Sequence, residues 1–323
     1  KDASAAIYGV RGGDGVILVT TKRGKSGAPK ISYHGYTGFQ NPVKFLQPST
    51  AASYIQAQRN GIFNTQYNPD FPDAPIDYGP EWSEERLAQY QSGELQSYNW
   101  VDALLKKGGS ELSAHNFSIS GGSDKVRYFT SVGLLNQNAI FKGDYSYDKF
   151  NITNNLDVDI TDDLSFSLNS SYIKETRDYP AAGIGELWND LRTAQPFFSP
   201  ELPDPNRAPY SGFSQRSPVA RIYQRFGGYN LNKAKTLAAA LELKYKLPFI
   251  EGLTVGARAN VRNRDRKSFR LTKTYGIWEY LPDTDTYRLE QTVNPEPLFS
   301  RGFLAGDGDP TMRFLSRFYL NFD

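Results

Sequence analysis

The 323-residue chain is long enough for one large domain or two ordinary ones, and it pairs 39% hydrophobic content with 14% aromatic residues, 21 Tyr and 20 Phe among them. Its formal net charge is +2 and its basic residues are scattered without an obvious stripe, which argues against nucleic acid as a partner. The absence of cysteine excludes disulfides, thiolate metal sites and cysteine nucleophiles, and the longest apolar run, Leu237 to Leu241, is far below the ~20 residues of a membrane helix.

The chain opens on a glycine-rich stretch, Asp2 to Gly27, that ends in Gly24-Lys25-Ser26. A phosphate-binding loop needs G-x-x-x-x-G-K-[ST] between a strand and a helix. Here Val19 stands where the first glycine belongs, and Ala28-Pro29 opens another strand rather than a helix. The glycines also precede the strand Val16 to Val19, which is the wrong order for dinucleotide binding. Gly9, Gly12, Gly13 and Gly15 instead mark a tight path feeding a buried strand.

From residue 30 onward, apolar and polar side chains alternate with period two, the pattern of a strand with one greasy face. Eight such segments are predicted, at 30–40, 114–122, 125–136, 148–160, 164–175, 234–247, 253–270 and 313–323. One face is almost purely Leu, Val, Ile, Phe, Tyr and Ala, and the other carries Asp, Glu, Lys, Arg, Asn and Ser. Short connections (Gly122 to Asp124, Thr161 to Asp163, Pro248 to Gly252) alternate strictly with long ones (41–113, 137–147, 176–233, 271–312). A soluble β-sandwich has no reason to sort its loops this way. A transmembrane barrel does, with tight periplasmic turns and long extracellular loops.

The long connections carry helical signals. Ser49 to Gly61 and Asp102 to Gly108 read as short helices, and Ser83 with Glu84, Glu85 and Gly93 reads as a capped one. The loop at 41–113 is therefore expected to be ordered. Six aromatics in the long loops, Trp82, Trp100, Trp188, Tyr275, Trp278 and Tyr280, suit stacking on sugar rings or holding peptide side chains. They equally suit loop cores or an interfacial girdle. His34 falls on the polar face, His115 at a strand end, and neither has the carboxylate neighbours of a metal site. No spacing singles out a catalytic serine, so no enzyme, no cofactor and no resident metal are expected.

Asp2-Ala3-Ser4-Ala5-Ala6-Ile7-Tyr8-Gly9, then Arg11-Gly12, then Gly15-Val16-Ile17-Leu18-Val19-Thr20-Thr21-Lys22, resembles the end of the plug domain in SusC/RagA-type TonB-linked outer-membrane transporters. His115 to Gly122 with Tyr128, Phe129 and Ser131 resembles that family's early hairpin, and Asn99-Trp100-Val101-Asp102 the segment before it. Val10 and Asp14 depart mildly from the pattern, where a small residue and an Asn are expected. The resemblance implies an all-β fold: the C-terminal strand of a plug at 1–27, then the N-terminal part of a large transmembrane antiparallel β-barrel at 28–323, about 8 of about 22 strands. Asp2, Ser4, Tyr8, Gly9, Arg11, Gly12 and Gly15 would form the plug-end motif.

The implied function is TonB-dependent import of an oligosaccharide or oligopeptide across the bacterial outer membrane. The implied partners are a SusD-like surface lipoprotein, outer-membrane lipid, and TonB through a segment not in this sequence. A self-contained small barrel acting as a passive pore or adhesin is the alternative.

Overall fold

The described residues form twelve strands, six α-helices and two single-turn 3-10 helices. The computed structural model describes residues 21–44, 47–212, 217–294, 296–302 and 311–322, so the plug-end motif from Asp2 to Gly15 lies outside the described residues. The strands are β1 (Gly27–Gln40), β2 (Ser110–Gly122), β3 (Val126–Asn138), β4 (Ser146–Asp159), β5 (Leu164–Pro180), β6 (Ala208–Pro209), β7 (Gly228–Lys246), β8 (Leu253–Thr272), β9 (Tyr275–Leu281), β10 (Thr286–Val293), β11 (Leu298–Gly302) and β12 (Thr311–Phe322). The helices are α1 (Ala51–Gln66), α2 (Glu84–Ser92), α3 (Trp100–Leu104), α4 (Ile184–Thr193), α5 (Pro218–Ile222) and α6 (Gln224–Gly227). None is long and apolar enough to cross a membrane, which says nothing about a barrel that crosses with strands.

The eight segments with period two are all long strands of one antiparallel sheet, ordered β1-β2-β3-β4-β5-β7-β8, with β12 pairing the first part of β8. At 13 to 20 residues, β2 to β5, β7 and β8 exceed the ~9–11 residues a tilted strand needs to cross a bilayer. Side chains close the tight turns at the other end. Ser123 Oγ accepts the Val126 amide at 3.2 Å, and Thr161 Oγ1 accepts the Leu164 amide at 3.0 Å. Among the described residues β1 does not pair with β12, so the sheet is open.

Register sorts the side chains into two faces. Tyr33, Phe117, Val132, Ile152, Tyr172 and Leu237 follow one another across adjacent strands, as do Val126, Val158, Phe166, Leu243, Ala257 and Phe318. This face exposes Leu237, Leu241, Phe314, Phe318 and Leu320 to the surroundings, a band that suits hydrocarbon. It is less pure than the sequence suggests. Thr130, Asn154 and Ser170 stand in one row, with Thr130 Oγ1 donating to Asn154 Oδ1 at 2.7 Å. His115 also belongs to this face. It lies inside β2 rather than at a strand end, stacked on Tyr33 and hydrogen-bonded to its hydroxyl at 2.7 Å.

The opposite face is polar, and it holds a second correction. Arg262 faces Arg313 and Arg258 faces Arg317, so basic residues that look scattered along the chain form a column on β8 and β12.

The 271–312 connection is also more ordered than expected. It contains β9, β10 and β11. The first two join β6 in a separate three-stranded sheet, and β11 pairs the last turn-proximal residues of β8. The helices of 41–113 stand where caps place them. Thr50 caps α1 through the Ser53 amide, Ser83 caps α2 through the Arg86 amide, Asn99 caps α3, and Gly93 ends α2 with φ at +83°.

Apart from Pro180 at the end of β5, the fully buried apolar side chains among the described residues lie in these connections rather than in the long strands. Trp100, Leu104, Phe141, Leu187, Leu191, Ala208, Val219, Ala220, Ile222 and Phe226 form one cluster drawn from three connections, with Tyr275 of the fourth packed against it. Each large member is worth roughly 1.5–3 kcal/mol relative to exposure, so the connections knit into one shell with its own core. Gly228, where the shell hands over to β7, has φ at +88°, and a Cβ there would lie 1.9 Å from the Leu271 carbonyl oxygen. Only glycine fits that corner.

Candidate functional site

Residues 21–26 lie against the polar face of the sheet near its short-turn end. Asn155, 2% exposed, donates from Nδ2 to the Lys22 carbonyl at 2.7 Å. Arg23 pairs with Asp157, whose Oδ1 also accepts from Ser167 Oγ at 2.7 Å. Ser26 Oγ donates to Asp124 Oδ1 at 2.9 Å. Gly24 passes so close to β3 that a Cβ would sit 2.4 Å from the Tyr128 backbone nitrogen. The polar wall thus has a chain segment docked on it through specific hydrogen bonds.

The long-loop end carries the shell. Within its apolar core, Arg221 on α5 donates to Asp190 on α4, both almost fully buried, with Glu186 3.7 Å from the guanidinium. A buried pair this well enclosed ties two helices together and is strongly destabilising to break. Tyr145 is buried beside it, its hydroxyl within reach of the Arg221 and Gly228 carbonyls at 3.3 and 3.4 Å. Burial pushes the Tyr145 phenol well above its ordinary range, reinforced by Asp178 and Asp144.

A 530 Å³ cleft opens where the shell meets the strand ends, lined by Tyr147, Arg177, Asp178, Asn232, Phe141 and Leu187 among others. Its polar wall has spare acceptors. Asp178 Oδ2 takes Gln224 Nε2 at 3.1 Å, and Asn232 Nδ2 donates to the Tyr179 hydroxyl at 2.7 Å. Asp178 Oδ1 and Asn232 Oδ1 are buried with no hydrogen-bond partner. Desolvation raises the Asp178 carboxyl above its ordinary value, partly offset by Gln224. Acceptors of this kind suit a ligand that brings hydroxyls, amides or an ammonium.

The six aromatic candidates do not converge on this cleft. Trp82 joins Tyr54, Phe197 and Tyr90 in a cluster beside α1 and α2. Trp100 is 1% exposed in the shell core, its indole N–H donating to the Gln195 carbonyl at 3.0 Å, so it offers no face to a ligand. Trp188 packs edge-on to Phe141 and lines a second, 400 Å³ cleft with Val101 and Arg192. Tyr275 packs against the shell core.

Trp278 and Tyr280 sit on the small sheet, and Arg207 lies 4.1 Å over the Trp278 ring and 4.5 Å over Tyr287, which packs on Tyr280. The structure therefore places the six in separate groups. The residues that line the main cleft were invisible in the sequence because they are ordinary strand-end positions. Only the tertiary packing of 137–147 against 176–233 brings them together.

A sheet with one hydrocarbon-facing and one polar face, tight turns at one end and a packed loop shell at the other is part of the wall of a transmembrane β-barrel. No protein-family model matches the chain. The TonB-dependent receptor P26 of Formosa agariphila is 32% identical over 222 residues, 67% of this chain and 19% of the relative. The TonB-dependent receptor SusC of Bacteroides thetaiotaomicron is 30% identical over 186 residues, 57% of this chain and 16% of the relative.

The RagAB peptide importer in its closed-closed state shares the fold, with a TM-score of 0.59 at 15% identity over 97% of this chain and 42% of that chain. Its open-open state gives 0.58 at 17% identity, over 99% of this chain and 42% of that one. The chain is a SusC/RagA-like TonB-dependent receptor sequence. The matched residues span less than a fifth of the length of these curated relatives, which are named as receptors rather than enzymes.

Proposed function

We propose that this chain forms part of the barrel wall and extracellular shell of a TonB-dependent importer that takes up an oligosaccharide or oligopeptide across the bacterial outer membrane. The observation that carries the reading is the docking of residues 21–26 on the polar face through Asn155, Asp157 and Asp124. A wall whose inner face holds a neighbouring chain segment suits a plugged lumen rather than an open pore. In this reading residues 1–27 are the end of the plug, 28–323 the first part of the barrel, and the connections at 41–113, 176–233 and 271–312 extracellular. The length of the matched relatives, of which this chain covers less than a fifth, supports a large barrel over a self-contained small one. The shell, with its clefts and exposed helices, is the surface a SusD-like lipoprotein would cover, and TonB would act on the plug.

Deletion of the gene in its native host, with the full-length protein restored from a plasmid, tests this. Uptake of labelled oligosaccharide or oligopeptide pools should vanish on deletion and return on restoration only when TonB is present, and a lipidated partner should co-purify. Uptake that persists without TonB would favour the passive pore.

A further inference from the structure

The polar face is not uniformly charged, and the register shows where it is out of balance. One row reads Arg127, Asp157, Ser167, Glu242, Arg258 and Arg317 across six strands, with acids interleaved among the bases. Beyond it toward the long-loop end comes a row of Phe129, Asn155, Asn169, Ala240, Asn260 and Leu315, and the row after that reads Ser32, Ser118, Ser131, Thr153, Ser171, Ala238, Arg262 and Arg313, hydroxyls and two arginines with no acid. Like charges directly opposite in an antiparallel pair are destabilising, and here two arginine pairs are stacked one above the other.

Among the described residues Arg258, Arg262, Arg313 and Arg317 make no ion pair. Glu242, opposite Arg258, is occupied by the Tyr319 hydroxyl at 2.8 Å and Lys244 Nζ at 3.6 Å. All four arginines are exposed. Beside them on β7 stand the small side chains of Ala238 and Ala240, and Asn260, facing Leu315, stands between the two pairs.

We infer that the Arg262–Arg313 and Arg258–Arg317 pairs form a binding track for an acidic oligosaccharide on the lumenal wall. The inference rests on the import reading and names its substrate class. Guanidinium groups on adjacent strands recognise carboxylate or sulfate oxygens in bidentate fashion. The two pairs are four residues apart along each strand, about 13 Å, a distance that a short oligosaccharide spans. The serine and threonine hydroxyls of the arginine row and the Asn260 amide supply partners for sugar hydroxyls. An anion held there relieves the repulsion within each pair, so the site is stabilised by the ligand it selects.

The test uses the full-length receptor purified in detergent and titrated calorimetrically with oligogalacturonate, a sulfated oligosaccharide, a neutral maltooligosaccharide and oligoglutamate. An acidic oligosaccharide should bind, more weakly as salt rises, and Arg262→Gln/Arg313→Gln should weaken that binding by about tenfold or more. Arg258→Gln/Arg317→Gln should do the same, and the two acidic sugars distinguish carboxylate from sulfate.

Heat-modifiable gel mobility confirms that each variant is folded, and removing like-charge pairs is not expected to impair folding. Unchanged binding in both variants overturns the inference. So does oligoglutamate binding as well as the sugars, or faster protease cleavage of the plug with no change in sugar affinity, which would make the track a plug contact. Intact, arginine-dependent binding without TonB-dependent uptake in cells would sustain the inference and sink the import reading instead.

Discussion

Arg23 Nη1 donates to Asp157 Oδ1, joining residues 134 positions apart. The contact fastens the segment before the first strand to the polar face of the fourth, next to the Asn155 hydrogen bond to the Lys22 carbonyl. In the proposed import reading, this contact would couple the end of the plug to the wall.

Asp157→Asn keeps an acceptor for Ser167 but removes the charge that holds Arg23. Arg23 is substantially exposed, so the loss should stay below about 1 kcal/mol. The expected result is several-fold faster trypsin cleavage at Lys22, Arg23 and Lys25 in the full-length receptor, with barrel heat stability unchanged. An unaltered cleavage rate would show that the pair does not restrain the segment.

The assignment of the two faces is tested by neighbours on one strand. Leu241 lies in the apolar row with Leu168 and Ala259, and Ala240 in the polar row with Asn169 and Asn260. Leu241→Arg should destabilise the barrel by about 2–4 kcal/mol, whereas Ala240→Arg should cost little. Refolding into lipid vesicles, followed by gel mobility, reads the difference. Equal costs would refute the assignment of the faces.

The long strands were legible because lipid and water act on opposite faces of each, writing period two into residues such as Leu237 to Leu247. Caps were legible for the same local reason, as at Ser83 and Gly93. Three features were not. The small sheet of β6, β9 and β10 is built from short strands, and its pairing of Ala208 with Ile277 joins distant segments. The cleft lining comes from residues that meet only through tertiary packing. The arginine column depends on register between β8 and β12, a relation that spacing along the chain does not carry.

The shell stands on a buried pair whose removal should be felt locally. Asp190→Ala leaves the enclosed Arg221 with only the more distant, solvent-facing Glu186 carboxylate, an effect of at most about 3–5 kcal/mol. Limited proteolysis should then open the shell around α4 and α5 while the barrel keeps its heat-modifiable mobility. Replacing both partners with apolar residues, Asp190→Leu with Arg221→Met, should recover much of the loss. If the single variant is as resistant as wild type, the pair is not what ties the helices.

Asp178 makes the stability of the shell depend on pH. Its carboxyl is raised above the ordinary aspartate value, chiefly by desolvation, and it lies beyond the apolar band, at the cleft. The folded shell therefore holds the proton at pH values where an opened shell releases it. The stabilisation is fully present below the ordinary aspartate value and is lost as pH rises through the raised one. Asp178→Asn retains an acceptor for Gln224 and carries no charge, so it should flatten this dependence and match or exceed wild-type shell stability at neutral pH.

Hydrogen-exchange protection of the Ala139 amide, which donates to the Tyr145 carbonyl at 2.9 Å beside the cleft, reports on the opening. Protection corrected for intrinsic exchange should fall with rising pH in the wild type and stay level in Asp178→Asn. Protection that rises with pH in the wild type would mean the carboxylate is stabilised in the folded shell, and the buried, partnerless Oδ1 would then have to be satisfied by a contact from outside the cleft.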